Sequence, residues 1–467
     1  MPISAWYVRA FALCGALAAL VPALAMWGFT VDDALIPLRY AHHIGVGAGY
    51  RFDAVGPATD GVTPLPWAPL CAPLARGPDL LEALARVKAI GIVAWTIAGA
   101  ALGASIGRRG GGRRGALLGT SALAILALAF QVGAWAASGM ETGIATALAT
   151  MAAASFERPR RAALLAGLAA SLRPELVVWA LAVAGGTSLA HAPKGSVDSR
   201  TRSRSVAQAL ALAGAPFAAC AAVRLACFGR VAPLALLAKP SDLAHGLLYA
   251  PAAATVVLTP ILAFAPFALA RASALAKTLA VAALAHAVVV VAVGGDWMPY
   301  ARLMVPIAPS LALVFVEAGS AAPAWSNVGR AVVALALGLY GLRIAPGGRH
   351  VYAARNELVV RARPVLAGAD VVAALDVGWV GAATEARIVD LAGLTDPAIA
   401  ALPGGHTSKR VDAAMLLDRN VDAVVVYGEP RFVEERLLRS PLFAERFEKK
   451  ATIAFGVKQT YDVFRRR

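Results

Sequence analysis

The residues of this chain that could do chemistry begin with two adjacent carboxylates, Asp32 and Asp33. They follow residues 10–31, an uncharged run that is long enough to cross a bilayer, which takes about 20 apolar residues. At the membrane surface a carboxylate avoids most of the penalty of burial in lipid, and it can accept a proton from an attacking hydroxyl group. Because Asp also caps helices well, the pair could instead begin the helix that follows.

Eight further ionisable residues interrupt apolar sequence: Arg39, Glu141, Arg173, Glu175, Arg224, Lys239, Asp296 and Arg302. Ionisable groups at membrane depth are costly to insert, so all eight are candidates for binding an anionic, membrane-borne substrate and its phosphate. Carboxylates together with cations suit the transfer of a sugar that leaves with a lipid phosphate. One carboxylate deprotonates the attacking hydroxyl group, and Arg or Lys stabilises the phosphate that departs.

Several of these residues also have a structural interpretation. Glu141 and Asp296 could be turn residues, and Arg173 could form an internal ion pair at a helix break. Arg224 and Lys239 could be cations that extend to the membrane interface. In the C-terminal part, three aspartates are typical of strand ends and turns rather than of a ligand site, namely Asp376, Asp390 and Asp396.

The histidines do not predict a metal site. His42 and His43 are adjacent and would point apart on a helix, and His286 stands alone in an apolar run, as a packed or hydrogen-bonded histidine does. The four cysteines show no metal-ligand spacing and no disulfide framework. A divalent cation stays an open alternative for the reaction.

The composition predicts a polytopic membrane protein. Apolar residues make up 59% of the chain and charged residues 15%, with a mean hydropathy of +0.66, against about 45–50% and 25% in soluble proteins. The net charge of +16 needs no nucleic acid to explain it, because most basic residues cluster in short loops beside apolar runs, as on the cytoplasmic side of membrane proteins.

Following the charges along the chain gives a topology. The first span is interpreted as retained and runs outward, residues 30–85 form an outer loop, and residues 89–107 return to a basic cytoplasmic loop. Residues 115–156 are twice as long as one crossing and predict a hairpin whose outer turn is 138–142.

The region 162–190 has two interpretations. Residues 162–172 and 176–190 are each short for a crossing, and they predict a broken hairpin with Arg173-Pro174-Glu175 outside, which returns the chain to the basic residues from Lys194 onward. One kinked span is the alternative, and it would invert the later topology.

Four apolar stretches complete the membrane part: 205–223, 247–270, 278–293 and 303–342, the last read as two spans. The expected fold is therefore an α-helical polytopic membrane protein with about eleven spans and a C-terminal soluble α/β domain. The transmembrane domain is expected to comprise residues 1–345 and the external domain residues 346–467.

The composition changes at residue 346, because 33 of the last 122 residues are charged. The segments VVAALDVG, ARIVDLAGL and DAVVVYG predict buried strands, and PRFVEERLLRS predicts a helix. No repeat array, GxGxxG motif or Walker loop is present, so a nucleotide site has no support.

The chain resembles the multi-pass GT-C glycosyltransferases, in particular the bacterial cell-envelope arabinofuranosyltransferases and their mannosyltransferase-like relatives. The order and spacing of short stretches across almost the whole chain carry the resemblance: 32–40 (DDALIPLRY), 49–53 (GYRFD), 60–67 (DGVTPLPW), 138–142 (SGMET), 172–175 (LRPE), 224–239, 294–302 (GGDWMPYAR) and 390–396 (DLAGLTD).

The resemblance implies an inverting transfer from a polyprenyl-phosphate sugar, with Asp33 or Asp32 in the first outer loop as general base. Relatives usually read Glu-Gly-Tyr-Thr-Ser-Pro-Leu-Trp in that loop, whereas this chain has Asp60-Gly-Val-Thr-Pro-Leu-Pro-Trp67. This departure leaves the sugar, arabinofuranose or mannose-like, and the acceptor open.

The expected function is therefore an integral-membrane GT-C glycosyltransferase of the bacterial plasma membrane, with its catalytic face and C-terminal domain outside the cytoplasm. Asp33 is the expected base with Asp32 in support, and the cations Arg173, Arg224, Lys239 and Arg302 are expected on the phosphate side. The expected partners are the lipid-linked donor, an envelope glycan or lipid-linked saccharide acceptor, and membrane lipid. The alternatives are a flippase of lipid-linked saccharides and a scaffold for envelope enzymes.

Overall fold

A computed structural model gives the fold and describes residues 4–192, 199–257 and 269–467. Lys194 and residues 258–268 of the predicted span 247–270 lie outside the described residues. The chain divides into two compact units, each assembled from separate stretches of sequence. Unit 1 comprises residues 1–29, 88–220 and 241–349, and unit 2 comprises residues 30–87, 221–240 and 350–467.

The long helices confirm that this is a multi-pass membrane protein. Five helical stretches are long and apolar enough to cross a membrane, namely Ala5–Ala25, Leu80–Arg109, Ser199–Phe228, Ala274–Ala292 and Ala324–Leu366. A sixth span results if Gly112–Ala127 and Phe130–Ala136, which meet at a bend of 57°, count as one. These numbers refer to the part of the chain that the structure describes.

The other helices of unit 1 are shorter: Thr142–Ala154, Pro159–Leu172, Val177–Ala190, Leu243–Val257 and Leu311–Ala321, with 3₁₀ turns at Pro174–Leu176 and Ala308–Ser310. The helix Ala324–Gly348 is followed by Val351–Leu366 with only a two-residue break.

Small residues allow the helix backbones of unit 1 to pack closely. A Cβ atom at Gly99 would lie 2.5 Å from the carbonyl oxygen of Gly15, and one at Gly103 would lie 2.0 Å from that of Phe11. Only glycine fits there, so these positions bring the first helix and residues 88–109 into backbone contact, as in many membrane proteins.

The chain reversal that the broken hairpin predicted within 162–190 is confirmed. Pro159–Leu172 and Val177–Ala190 pack against each other, so the chain reverses at Arg173-Pro174-Glu175 instead of continuing as one kinked span. Proline favours this break because it lacks the amide donor that a continuing helix needs.

The predicted pair of spans in 303–342 is only partly right. Residues 300–307 form turns, and the first regular helix begins at Leu311. Pro306 and Pro309 explain the delay, because neither can donate a helical hydrogen bond. The second helix begins at Ala324 and passes through Pro346 to end at Gly348.

The C-terminal region contains a five-stranded mixed sheet: β1 (Val371–Ala374), β2 (Arg387–Asp390), β3 (Ala423–Tyr427), β4 (Phe447–Phe455) and β5 (Gln459–Arg466). The order is β2-β1-β3-β5-β4, in which β1 runs parallel to β2 and β3, and β5 runs antiparallel to β3 and β4. Val372 pairs with both Ile388 and Ala423, and Val425 pairs with Val463. The strands predicted from VVAALDVG, ARIVDLAGL and DAVVVYG are β1, β2 and β3.

The helices of unit 2 are short: Leu35–Gly45, Trp67–Cys71, Leu234–Ala238, Val377–Ala383, Pro397–Ala400, Ala413–Asp418, Phe432–Leu438 and Pro441–Arg446, with 3₁₀ turns at Asp32–Ala34 and Ala72–Leu74 and the longer helix Val351–Leu366. Leu35–Gly45 packs against Val377–Ala383. The stretch that follows the first span therefore shares a compact unit with the C-terminal sheet.

Candidate functional site

The ten residues that the sequence singles out fall into two groups, one in each unit. Unit 2 holds Asp32, Asp33, Arg39, Arg224 and Lys239. Unit 1 holds Glu141, Arg173, Glu175, Asp296 and Arg302. Each group is described separately.

Asp32 is bound at the first turn of the helix Val377–Ala383. Its Oδ2 accepts a hydrogen bond from the amide of Gly378 at 2.9 Å, and its Oδ1 accepts one from the amide of Trp379 at 3.0 Å. First-turn amides have no acceptor within their own helix, and the positive end of the helix dipole favours a negative charge. Asp32 therefore connects the first loop to the C-terminal layer.

The surroundings of Asp32 raise its pKa to about 7. Burial is the main cause, and the negative charges of Asp376 and Asp33 add to it, while Arg355 and the amide of Gly378 act in the opposite direction. A carboxyl group that titrates near neutral pH is suited to acid–base chemistry.

Asp376 lies two residues beyond the end of β1 and is held by two side chains from other elements. Nη1 of Arg431 donates to both of its carboxylate oxygens at 2.9 Å, and the hydroxyl of Tyr461 donates to Oδ2. Burial alone would raise the pKa of Asp376, but Arg431 and Tyr461 hold it below the usual value. The strand-end interpretation of Asp376 is confirmed, and its contact with Arg431 and Tyr461 was not foreseen.

Asp33 and Lys239 form a loose, accessible pair. Nζ of Lys239 lies 3.8 Å from Oδ2 of Asp33, and the side chains are 36% and 30% exposed. The separation is too long for a hydrogen bond, so both groups keep capacity for another partner. Lys239 directly follows the short helix Leu234–Ala238, so a single turn of helix sets its position.

Arg39 is buried, and all of its donors are used within the chain. Its Nε donates to the carbonyl of Phe52, Nη1 to those of Gly381 and Thr384, and Nη2 to that of Ala386, each at 2.8 Å. Nη2 also donates to Asp53 at 3.3 Å.

A guanidinium group has five N–H donors, and five contacts account for them. The predicted substrate-binding role of Arg39 therefore needs correction, because no donor is left for a phosphate. Arg39 instead holds the first loop and the C-terminal layer together.

Arg224 is also buried and bound by the first loop. Its Nε donates to Oδ2 of Asp60 at 2.9 Å, and Nη2 donates to the carbonyls of Val62, at 3.2 Å, and Thr63. Asp60 is fully buried, so its charge is neutralised by Arg224. This contact also corrects the alternative view of Arg224 as a cation at the membrane interface, and it leaves a direct contact with phosphate without support.

The first-loop segment 60–67 packs on the segment 390–395. A Cβ atom at Gly61 would lie 2.9 Å from Cγ2 of Thr395 and 3.1 Å from the carbonyl oxygen of Leu394. Asp390 holds this segment, because its carboxylate accepts hydrogen bonds from three backbone amides and from the hydroxyl of Thr395. Asp390 is thus a strand-end residue, as predicted.

In unit 1, Arg173 lies between two carboxylates. Its Nη1 donates to Oε1 of Glu141 at 2.9 Å, and its Nε donates to Oε1 of Glu175 at 2.7 Å. All three side chains are at most 11% exposed. The internal ion pair that the helix break predicted is present, and Glu141 joins it from the turn before Thr142–Ala154.

Asp296 and Arg302, also in unit 1, form an ion pair with 2.6 Å between Oδ2 and Nε. Asp296 also accepts a hydrogen bond from the amide of Met298 at 3.2 Å, which confirms the turn interpretation. Between them, Tyr300 and Ala301 adopt left-handed backbone conformations with φ of 61° and 53°. Such strained conformations are found most often at functional sites.

Two further residues surround these pairs, and sequence reasoning did not foresee the contacts of either. Tyr249 lies near Asp296, Arg302 and Arg173, and its hydroxyl accepts a hydrogen bond from the amide of Leu303 at 3.4 Å. His286 is fully buried, with its ring nitrogens 3.1 Å and 2.8 Å from the carbonyl oxygens of Glu175 and Leu303. The interpretation of His286 as a packed, hydrogen-bonded histidine is confirmed.

Among the described residues, no group of three or more His, Cys, Asp or Glu side chains is placed to hold a metal ion. His42 and His43 each direct a ring nitrogen to a backbone carbonyl, that of Ala75 and that of Arg51 respectively.

Comparison with known proteins gives one match. A family described as a domain of unknown function (DUF8728) matches residues 352–464, a range that covers β1 to β4, most of β5 and nearly all of the helix Val351–Leu366. No curated protein and no solved structure is significantly similar to the chain.

Proposed function

We propose that the chain is an integral-membrane, inverting glycosyltransferase of the GT-C type that takes its sugar from a polyprenyl phosphate. The proposal includes about eleven spans, a position in the bacterial plasma membrane, and a catalytic face and C-terminal layer outside the cytoplasm. The sugar is arabinofuranose or mannose-like, and the acceptor is an envelope glycan or a lipid-linked saccharide.

The observation that supports this proposal best is the open pair formed by Asp33 and Lys239. A carboxylate and an ammonium group lie 3.8 Å apart, and each is about one-third exposed. A glycosyl transfer from a lipid phosphate needs a base for the incoming hydroxyl group and a cation for the departing phosphate. This pair offers both groups next to each other, at the end of an apolar run that is long enough to span the membrane.

In the proposed reaction, the carboxylate of Asp33 accepts the proton of the acceptor hydroxyl group. The acceptor oxygen forms a bond to the anomeric carbon as the bond from that carbon to the phosphate oxygen breaks on the opposite face, which inverts the configuration. The electron pair of the broken bond leaves with the polyprenyl phosphate, whose charge Lys239 stabilises. Asp32, fixed by two amides, supports the position of Asp33.

The group in unit 1 has a supporting part in this proposal. Arg173 and Arg302 each bind a carboxylate within the chain. Their proposed contact with the donor phosphate therefore has to use N–H groups that these carboxylates leave available. Glu141, Glu175 and Asp296 would then orient these cations. This role is ranked below that of Lys239, because Lys239 needs no change of partner.

The test is sugar transfer by the purified protein in lipid, with a panel of polyprenyl-phosphate sugars and with and without EDTA, which tests the divalent cation. Asp33→Asn and Asp32→Asn are compared with the parent and with Glu429→Gln, a control at an exposed acid of the same unit. Transfer that is lost in Asp33→Asn and kept in Glu429→Gln supports the proposal. Unchanged transfer in both aspartate variants overturns the acidic-pair mechanism. Translocation of a lipid-linked saccharide without transfer would instead indicate a flippase.

A further inference from the structure

The sheet of unit 2 has a site at which α/β proteins commonly bind ligands. β1 lies between β2 and β3 and runs parallel to both, so the chain leaves β1 toward one side and later returns on the other. Ligands of such sheets bind in the crevice beyond the carboxyl ends of the strands at this switch point. Here the chain beyond the carboxyl end of β1 passes through Asp376 into the helix Val377–Ala383.

In this chain, a side chain from the first loop lies at the start of that helix. The carboxylate of Asp32 accepts hydrogen bonds from the first-turn amides of Gly378 and Trp379. Glycine is required at 378, because a Cβ atom there would lie 2.1 Å from the backbone oxygen of Asp32 and 2.7 Å from its Oδ2. The close approach therefore depends on both residues, on the carboxylate of Asp32 and on the missing side chain of Gly378.

We propose that the α/β layer positions the acidic pair: the amides of Gly378 and Trp379 hold Asp32, and this fixes the direction in which Asp33 faces Lys239. The consequence for catalysis rests on the proposed function, whereas the contact itself does not. Gly378 and Trp379 are positioning residues in this view, since they act only through Asp32.

Charged groups from three elements surround Asp32. Arg355, on the helix Val351–Leu366, attracts its charge, while Asp376 and the adjacent Asp33 repel it. The hydroxyl of Tyr461 on β5 also lies within electrostatic reach. Asp376 is itself fixed by Arg431. The layer thus places one positive and one negative charge near Asp32. Removing the positive charge should raise the pKa of Asp32, and removing the negative charge should lower it.

The contact is tested by hydrogen–deuterium exchange on the full-length protein in lipid nanodiscs without substrate. First-turn amides lack an intrahelical acceptor, so the protection of Gly378 and Trp379 has to come from Asp32. Asp32→Ala is expected to speed their exchange about tenfold, which corresponds to the loss of one hydrogen bond. Asp33→Ala, which removes the adjacent carboxylate, is the matched control and should leave the exchange of these two amides unchanged. Equal acceleration in both variants, or none, overturns the contact.

The consequence is tested by transfer kinetics. Gly378→Ala is expected to lower kcat at least tenfold with little change in KM, because it disturbs the direction of the base and not the donor site. Gly405→Ala is the control, since a Cβ atom there meets only the Ser408 hydroxyl, at 3.7 Å. Equal kcat in the two variants would show that the contact does not position the base.

The pH profile of kcat/KM gives a second readout that does not depend on the glycine variant. Because the position of Asp33 depends on Asp32 in this proposal, the acid limb should follow the ionisation of Asp32. Asp376→Asn removes a negative charge near Asp32 and should shift the acid limb to lower pH, whereas Arg355→Gln should shift it to higher pH, each by about one unit. Asp396→Asn, which alters a helix cap elsewhere in the layer, should not move the limb. Shifts of the same sign, or no shifts, overturn the proposal. A parent without transfer from any donor refutes the proposed function, and the exchange experiment still decides whether Asp32 is held.

Discussion

Two charged groups of the molecule, the cluster around Arg173 in unit 1 and the pair of Asp33 and Lys239 in unit 2, differ in how their charges are partnered. In unit 1, Arg173 lies 2.9 Å from Glu141 and within hydrogen-bond distance of Glu175, and all three side chains are almost fully buried. In unit 2, Asp33 and Lys239 are separated by 3.8 Å, and each is about one-third exposed. We call the first group closed, because its charges are buried and paired with one another, and the second open, because its charges are accessible and loosely paired.

The difference follows from the cost of removing charges from water. Charges in a low-dielectric environment are tolerated only with close partners, so a buried group must be nearly complete within the chain. An exposed pair carries no such requirement and contributes little to stability. A closed group therefore matters first for folding, and an open pair remains available to a ligand. The predictions below test this distinction.

Arg173→Gln should have the largest effect, and the effect should be on stability. The substitution leaves Glu141 and Glu175 without their cation, and breaking a buried pair costs about 3–5 kcal/mol. Thermal unfolding of the purified protein in lipid measures the loss. Arg86→Gln is the control, because Arg86 pairs with Glu82 on an exposed helix surface and should change stability by less than about 0.5 kcal/mol. Equal stability of the two variants would show that the buried group is not essential for folding.

Asp33→Asn should have the opposite signature, a loss of transfer without a loss of stability. General base catalysis contributes about 10²–10⁴-fold, so transfer should fall at least about 100-fold. The midpoint of thermal unfolding should stay that of the parent, because Asn fits the same exposed position. A variant that unfolds at a lower temperature and still transfers the sugar would show that Asp33, like Arg173, stabilises the fold and does not act as the base.

Lys239→Gln should lower transfer less, by about tenfold, because a hydrogen bond to a charged group is worth about 1.5–3 kcal/mol. The lipid-phosphate donor is an anion that Lys239 attracts. Transfer by the parent should therefore weaken as the salt concentration is raised, and transfer by the variant should depend less on salt. Kinetics at two ionic strengths measure this difference. An identical salt dependence of both proteins would remove Lys239 from the phosphate side.

Local sequence patterns predicted much of the fold. Long uncharged runs gave the membrane helices, and runs such as DAVVVYG gave the parallel strands, because burial on both faces requires continuous apolar sequence. The hairpin β4–β5 escaped prediction, since FEKKATIAF and QTYDVFRR carry charges on their exposed positions. A strand with one solvated face has a weaker signal.

The candidate site was predictable in its residue types and not in its partners. The sequence marked Arg39 and Arg224 as cations, but only the structure shows that backbone carbonyls and Asp60 use their donors. The contact of Asp32 with Gly378 joins residues that are 346 positions apart, and no local pattern encodes such a pairing. Periodicity reports which face of an element is buried, but it does not report what lies against that face.

The smallest expected effect is the stability coupling between Asp33 and Lys239. A double-mutant cycle with Asp33→Asn and Lys239→Gln should give about 0–1 kcal/mol, as for other exposed pairs. The same cycle with Glu141→Gln and Arg173→Gln should give a clearly larger coupling, because each single variant leaves a buried partner uncompensated. Thermal unfolding of the six variants and the parent in lipid measures both. A coupling of Asp33 and Lys239 as large as that of the buried pair would mean that the open pair also holds the fold together, and the loss of transfer in Asp33→Asn would then no longer identify a base.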